Sequence, residues 1–127
     1  MSWVADVLAR RGAERDALIE RARAFVDELG ERLDIRAASI GGSVARGDFN
    51  VWSDVDVLLV VDDLPERLPD RLALLWEGRP PRVQPVGLTL VELEARYAAG
   101  DPLVVEVVER GVPLRGEALL RGVADDG

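Results

Sequence analysis

The sequence has 127 residues, close to the usual size of one domain and short for two, and its 48% apolar and 31% charged residues are enough for a buried core and too apolar for a disordered chain. It contains no cysteine, histidine or lysine, which excludes disulfides, thiol and histidine catalysis, zinc clusters, Schiff bases and a Walker-type ATPase, so any acid-base or metal chemistry must use carboxylates. The formal net charge of −8 disfavours direct binding along a DNA or RNA backbone, although a nucleotide escorted by Mg²⁺ is compatible with it.

Met1 to Arg15 alternates apolar with charged residues and lacks the apolar run of a signal peptide. No stretch reaches the length of a membrane span, so the expectation is a cytoplasmic protein without a membrane contact. The spacing predicts a short helix over Trp3 to Ala9, an interruption at Gly12, and an amphipathic helix from Ala13 to Leu33, with Leu18, Ala22, Phe25, Val26, Leu29 and Leu33 at three- and four-residue steps. Ile35 to Ile40 reads as a first strand leading into the Gly41-Gly42 turn.

Val55 to Val61 is the clearest strand, its nearly continuous apolar run predicting burial on both faces. Leu64 to Trp76 has helical spacing, with Pro69 acceptable only near its start. Arg82 to Leu88 forms a third strand that Pro85 and Gly87 confine to an edge or a bulge.

Thr89 and Glu92 have capping-box spacing for a helix running to Ala99. Asp101 and Pro102 start another helix that ends at Gly111. Val112 to Leu114 adds a fourth strand, and residues 120–127 are expected to be a flexible tail. The fold class is therefore α/β (α+β): one domain over residues 1–127, with N-terminal helices over residues 1–33 and a small mixed sheet carrying packed helices.

The chemistry concentrates between Gly41 and Val61. Asp54 and Asp56 stand two residues apart at the start of a strand, so the pleat turns both carboxylates to one face, where they can share a divalent cation such as Mg²⁺. Gly42 and Ser43 lie between a strand and a short helical turn at Val44 to Arg46. Glycine permits close backbone approach there, and the hydroxyl and amides can donate to a phosphate. Arg46 either adds a charge-assisted phosphate contact or pairs with a carboxylate.

Gly42-Ser43, ten intervening residues and Asp54-x-Asp56, with Arg46-Gly47 and Ser53 between, resemble the signature of the DNA polymerase β-type nucleotidyltransferases, and the short length is similar to their minimal members, often antitoxin partners of HEPN-domain ribonucleases. The resemblance implies a polymerase β-like palm fold and transfer of a nucleoside monophosphate from an NTP, ATP in the first instance, to an acceptor hydroxyl, with Mg²⁺ or Mn²⁺ assisting. Gly42 and Ser43 would hold the β- and γ-phosphates, with Arg46 and Ser53 also counted on the nucleotide side. Asp54 and Asp56 would be the catalytic, metal-binding pair.

The family also places a third carboxylate on a neighbouring strand. No acid occurs between Glu77 and Glu92, and Gln84 or Val86 stands in the expected place, where glutamine neither takes a proton nor carries charge. Two readings follow: an active nucleotidyltransferase, or a nucleotide- or partner-binding antitoxin or scaffold that lacks the third acid. A metal-dependent glycosyltransferase is disfavoured by the short chain.

Plainer roles compete at each position. Asp48 and Asn50 form loops, Ser53 orients Asp54, Asp62 and Asp63 are solvated, and Trp3, Trp52 and Trp76 pack in the core or at an interface, with Trp52 alternatively lining a base pocket. Self-association is left open.

Overall fold

The computed structural model describes residues 2–49 and 54–126, so the expectations for Asn50, Trp52 and Ser53 lie outside the described residues. Helix α1, Trp3–Leu29, is continuous where the sequence predicts a break at Gly12 and an end at Leu33. A mid-helix glycine costs only about 1 kcal/mol relative to alanine, less than interrupting a cooperative hydrogen-bond ladder on both sides. Ser2 caps the start, accepting from the Val4 N–H, and Gly30 closes the end.

After α1 come strand β1 (Ile35–Gly41), the one-turn helix α2 (Gly42–Arg46) and strand β2 (Val55–Val61). They are followed by helix α3 (Leu68–Trp76), strand β3 (Val83–Leu88) and helices α4 (Leu90–Ala98) and α5 (Pro102–Arg110). Strand β4 (Val112–Arg115) and helix α6 (Glu117–Asp126) complete the order. The sheet runs β3-β2-β1-β4, with β1 antiparallel to β2 and β4, and β2 parallel to β3.

This is the mixed sheet with packed helices that the sequence predicts. The proline-bearing β3 occupies an edge, where the missing Pro85 N–H costs no ladder bond to a further strand. Leu68 opens α3 and places Pro69 in its first turn, so the helix starts later than the spacing predicts.

Two apolar layers sandwich the sheet. Leu18, Ala22, Phe25 and Leu29 of α1 pack with Val55, Val57, Leu59 and Val61 on one face, and Leu75 of α3 joins them. On the other face, Leu58 and Val60 meet Leu93 of α4, Val104 and Val107 of α5, and Leu120 and Val123 of α6. Every second residue of β2 thus serves one layer, which accounts for its two-faced apolar sequence.

The segment expected to be a tail is corrected by α6. Leu120 and Val123 retain only 4% and 8% of their exposure, so their burial on α4 and α5 offsets the ordering of a polar C-terminal helix.

The capping box forms as the sequence predicts. The Thr89 hydroxyl accepts from the Glu92 N–H at 3.2 Å, and Glu92 accepts from the Thr89 N–H at 2.9 Å. Arg71, largely buried, donates to the same carboxylate at 3.1 Å and to the Gly87 carbonyl at 3.2 Å, tying α3, β3 and α4 together.

The Thr89 amide first, and Arg71 with it, hold the Glu92 carboxyl below its ordinary range. Its contribution to stability is therefore present above the ordinary value of 4.5 and lost as pH falls through the lowered one. Glu92→Ala is expected to lose about 1–2 kcal/mol in urea unfolding at neutral pH, a deficit that shrinks in acid.

Candidate functional site

The site sits where β1 ends and β2 begins. Gly41, last in β1, pairs with Asp56 of β2, so the chain leaving β1 turns into α2 directly beside the acidic end of β2. Gly42 makes that turn with φ +71°, and a Cβ built on it would lie 2.5 Å from Asp56 Oδ2. Only glycine reconciles both demands, the left-handed backbone and the carboxylate against it.

The loop beyond Ser43 is closed by its own backbone. The Ser43 carbonyl accepts from the Gly47 N–H at 2.9 Å and the Asp48 N–H at 3.1 Å, with Gly47 in the left-handed conformation that ends α2. Two arginines of α1 brace it from behind. Arg15 donates to the Val44 carbonyl at 3.0 Å, and Arg11 donates to the Phe49 carbonyl at 2.5 Å while stacking over the Phe49 ring.

Asp54 and Asp56 come together as expected from their spacing. Burial first, then the Asp54 charge and that of Glu106, push the Asp56 carboxyl above its ordinary value, with Arg46 opposing. Two carboxylates whose charges raise the cost of ionisation make a site that a divalent cation relieves. The missing side chain at Gly42 leaves space at Asp56 Oδ2 that any Cβ would fill. The pair therefore fits a metal.

Among the described residues no group of three or more acidic side chains converges as a metal cluster, so a bound ion would take its remaining ligands from water and substrate phosphates.

The third position is settled by the register of β3. Gln84 is the partner of Asp56, Val86 that of Leu58, and the Gln84 amide donates to Asp54 Oδ2 at 2.6 Å. A neutral donor thus occupies the place nearest the acidic pair and fixes Asp54. Val86, Leu58, Leu103 and Val107 line a pocket of about 160 Å³ that opens beside Asp56. A larger hollow of about 380 Å³ lies under α4 and α6 near Arg36, Glu94 and Tyr97, and includes none of the site residues. We assign the site by its convergent carboxylates rather than by hollow size.

Arg46 resolves toward the ion-pair alternative in this state. It binds Asp48 at 3.2 Å and Glu106 of α5 at 2.6 Å, bonds that strengthen its hold on its proton, Glu106 contributing most. Glu106 was not legible as a site residue, because its approach depends on how α5 crosses the sheet; the sequence signal was its place on the polar side of an amphipathic helix. Asp62 is exposed and pairs with Arg36, and Trp76 donates to the Pro85 carbonyl at 3.0 Å. Ser53 and Trp52 lie outside the described residues.

A family model described as nucleotidyltransferase domain matches residues 19–111, a span that contains the entire site. The chain belongs to the nucleotidyltransferase domain family. That family's general chemistry is transfer of a nucleoside monophosphate, and it generally uses divalent metals.

No curated protein matches the chain. Among solved structures, this nucleotidyltransferase domain is similar to a candidate nucleotidyltransferase from Sulfolobus solfataricus, at 22% identity and a TM-score of 0.62 over 81% of this chain and 84% of that one. It is also similar to a chain of a toxin-antitoxin solved with AMP-PNP, at 17% identity and a TM-score of 0.53 over 82% of this chain and 85% of that one. At these identities the likenesses bear on the fold, which is that of a nucleotidyltransferase.

The nucleotidyltransferase loop gives an expected result for Arg46. Both its ion pairs are exposed, so Arg46→Ala should change stability by less than about 0.5 kcal/mol in thermal unfolding. If Arg46 turns to a phosphate when nucleotide binds, the same variant should weaken NTP binding about tenfold in calorimetry.

Proposed function

We propose that the domain binds an NTP, ATP in the first instance, with Mg²⁺ or Mn²⁺ at Asp54 and Asp56, and transfers the nucleoside monophosphate to a hydroxyl of a protein or small molecule, acting as the antitoxin partner of a HEPN-domain ribonuclease. The observation that carries this reading is the meeting of the Gly42 turn with the Asp54–Asp56 pair at one end of the sheet. The toxin-antitoxin neighbour with AMP-PNP supports the choice of adenine and of a toxin partner. The acidic chain, and the Gln84 donor at the acidic pair, are compatible with a nucleotide substrate rather than a nucleic-acid polymer.

In this mechanism the Ser43 hydroxyl and the backbone N–H groups of the loop donate to the β- and γ-phosphates, and Gly42 lets the chain approach them. The divalent ion, when bound, would supply charge neutralisation on the phosphates. Asp54 and Asp56 would hold it, with Gln84 keeping Asp54 in one orientation. The acceptor oxygen attacks the α-phosphorus as the α–β bridging oxygen departs with pyrophosphate, and the acceptor's proton passes to a carboxylate of the pair or to water.

A second reading, a binding protein with weakened catalysis, is favoured by one observation: Gln84, which cannot accept a proton as a base, stands in register with Asp56. Titrating Mg²⁺ with each NTP into the wild type and into Asp54→Asn/Asp56→Asn tests both readings. Metal-dependent binding lost in the variant, followed by transfer of labelled nucleotide to a toxin, supports the enzyme. Binding without transfer supports the second reading, and binding that survives in the variant rejects the site itself.

A further inference from the structure

The free end of α1 carries an interaction surface that neither the site nor the core uses. Residues 2–10 are all exposed, among them Trp3 (74%), Val4 (46%), Val7 (38%) and Leu8 (63%). They continue the stripe that faces the sheet further along the same helix. Stepping back from Leu18 by three and four residues reaches Arg15, Arg11, Leu8 and Val4. Arg15 and Arg11 turn to carbonyls of α2 and its loop, which marks where the domain ends, and the two turns before them extend roughly 12 Å beyond. A two-turn apolar helix end in water is held only weakly by its own hydrogen bonds, so its stripe calls for a partner.

The charges on this segment select the partner. Asp6 and Arg10 stand four residues apart, on the side of the helix shared by Trp3 and Val7. When two copies of such a helix lie antiparallel, that side of one faces the same side of the other. Centred near Val7 and Leu8, the pairing brings Asp6 of each copy to Arg10 of the other, twice by symmetry. A parallel pair would set that side against the opposite side of the partner helix, and no Asp6–Arg10 contact would form.

We propose that α1 pairs antiparallel with α1 of a second copy of this chain, through Trp3, Val4, Val7 and Leu8, with reciprocal Asp6–Arg10 contacts fixing the direction. The four apolar side chains offer roughly 800 Å² in total from two copies, below the roughly 1,200 Å² at which stable interfaces begin, so the dimer is weak and concentration-dependent. Helix dipoles also oppose favourably in this arrangement.

Sedimentation of the full chain from about 10 to 500 µM, the range where so small an interface dissociates, should show a monomer–dimer equilibrium. Leu8→Glu should be monomeric throughout with an unchanged circular dichroism spectrum, since its site is exposed. Asp6→Arg and Arg10→Asp should each weaken association about tenfold, and the two together should restore it. A wild type monomeric over the whole range overturns the proposal. So does a dimer indifferent to Leu8→Glu, or a double reversal that stays as weak as the singles.

Discussion

Gly42→Ala is expected to lose nucleotide binding by a hundredfold or more while the domain stays folded. Two costs meet at this residue. An alanine held at φ +71° is strained by about 1–2 kcal/mol, which the two apolar layers absorb without global unfolding. Its Cβ would also stand 2.5 Å from Asp56 Oδ2, and the carboxylate is the end of a side chain that can rotate away. Relief of the clash therefore comes by moving a metal ligand, and a shift of this size in a two-carboxylate site removes much of its affinity. Calorimetry with Mg²⁺-NTP and a urea melt measure the two effects separately. Near wild-type binding with a stability loss of the stated size would show that the Asp56 carboxyl does not hold the ligand.

The parts of this molecule that were legible in the sequence are those decided by near neighbours. Asp54 and Asp56 share a face because of the two-residue strand period, and the Thr89–Glu92 box closes because its partners are three residues apart. The strand Val55–Val61 forms over the residues expected, because its apolar run is bounded by polar residues at both ends. What escaped depended on context beyond the residue's own preference. Gly12 suggested a break by its propensity, yet neighbouring turns carried the helix through. Residues 120–127 are expected to fray as a terminus, and α6 forms because Leu120 and Val123 find a face left open by α4 and α5. Glu106 reaches Arg46 from sixty residues away, a separation at which no spacing argument operates.

The same limit explains the β3 strand. The absence of an acid between Glu77 and Glu92 was readable directly, but whether Gln84 or Val86 took the vacant role was a question of register. Parallel pairing of Asp56 with Gln84 answers it, since a slip by one residue would have turned Gln84 to the α1 side. The amide then serves Asp54 as a donor, which orients the acidic pair without adding charge.

Asp56→Asn should separate stability from binding in opposite directions. Burial, then Asp54 and Glu106, raise the folded-state value of Asp56 above its ordinary 3.8, so the native state holds the proton more tightly than the unfolded chain does. Stability then falls as pH rises from the ordinary value through the raised one, and at neutral pH the ionised carboxylate works against the fold. Asparagine is nearly isosteric and uncharged, so the metal-free variant should melt slightly higher, by less than about 1 kcal/mol once solvent screening of this half-exposed group is allowed for. A divalent cation should raise the melting temperature of the wild type by binding between Asp54 and Asp56, and leave the variant nearly unmoved. Melting curves at neutral pH with and without Mg²⁺, and again near pH 3 where both proteins carry a neutral side chain at this position, read all of this. A variant that melts lower than wild type in metal-free buffer would mean that Asp56 is a structural residue whose carboxylate the fold requires, not part of a charge-strained metal site at the start of β2.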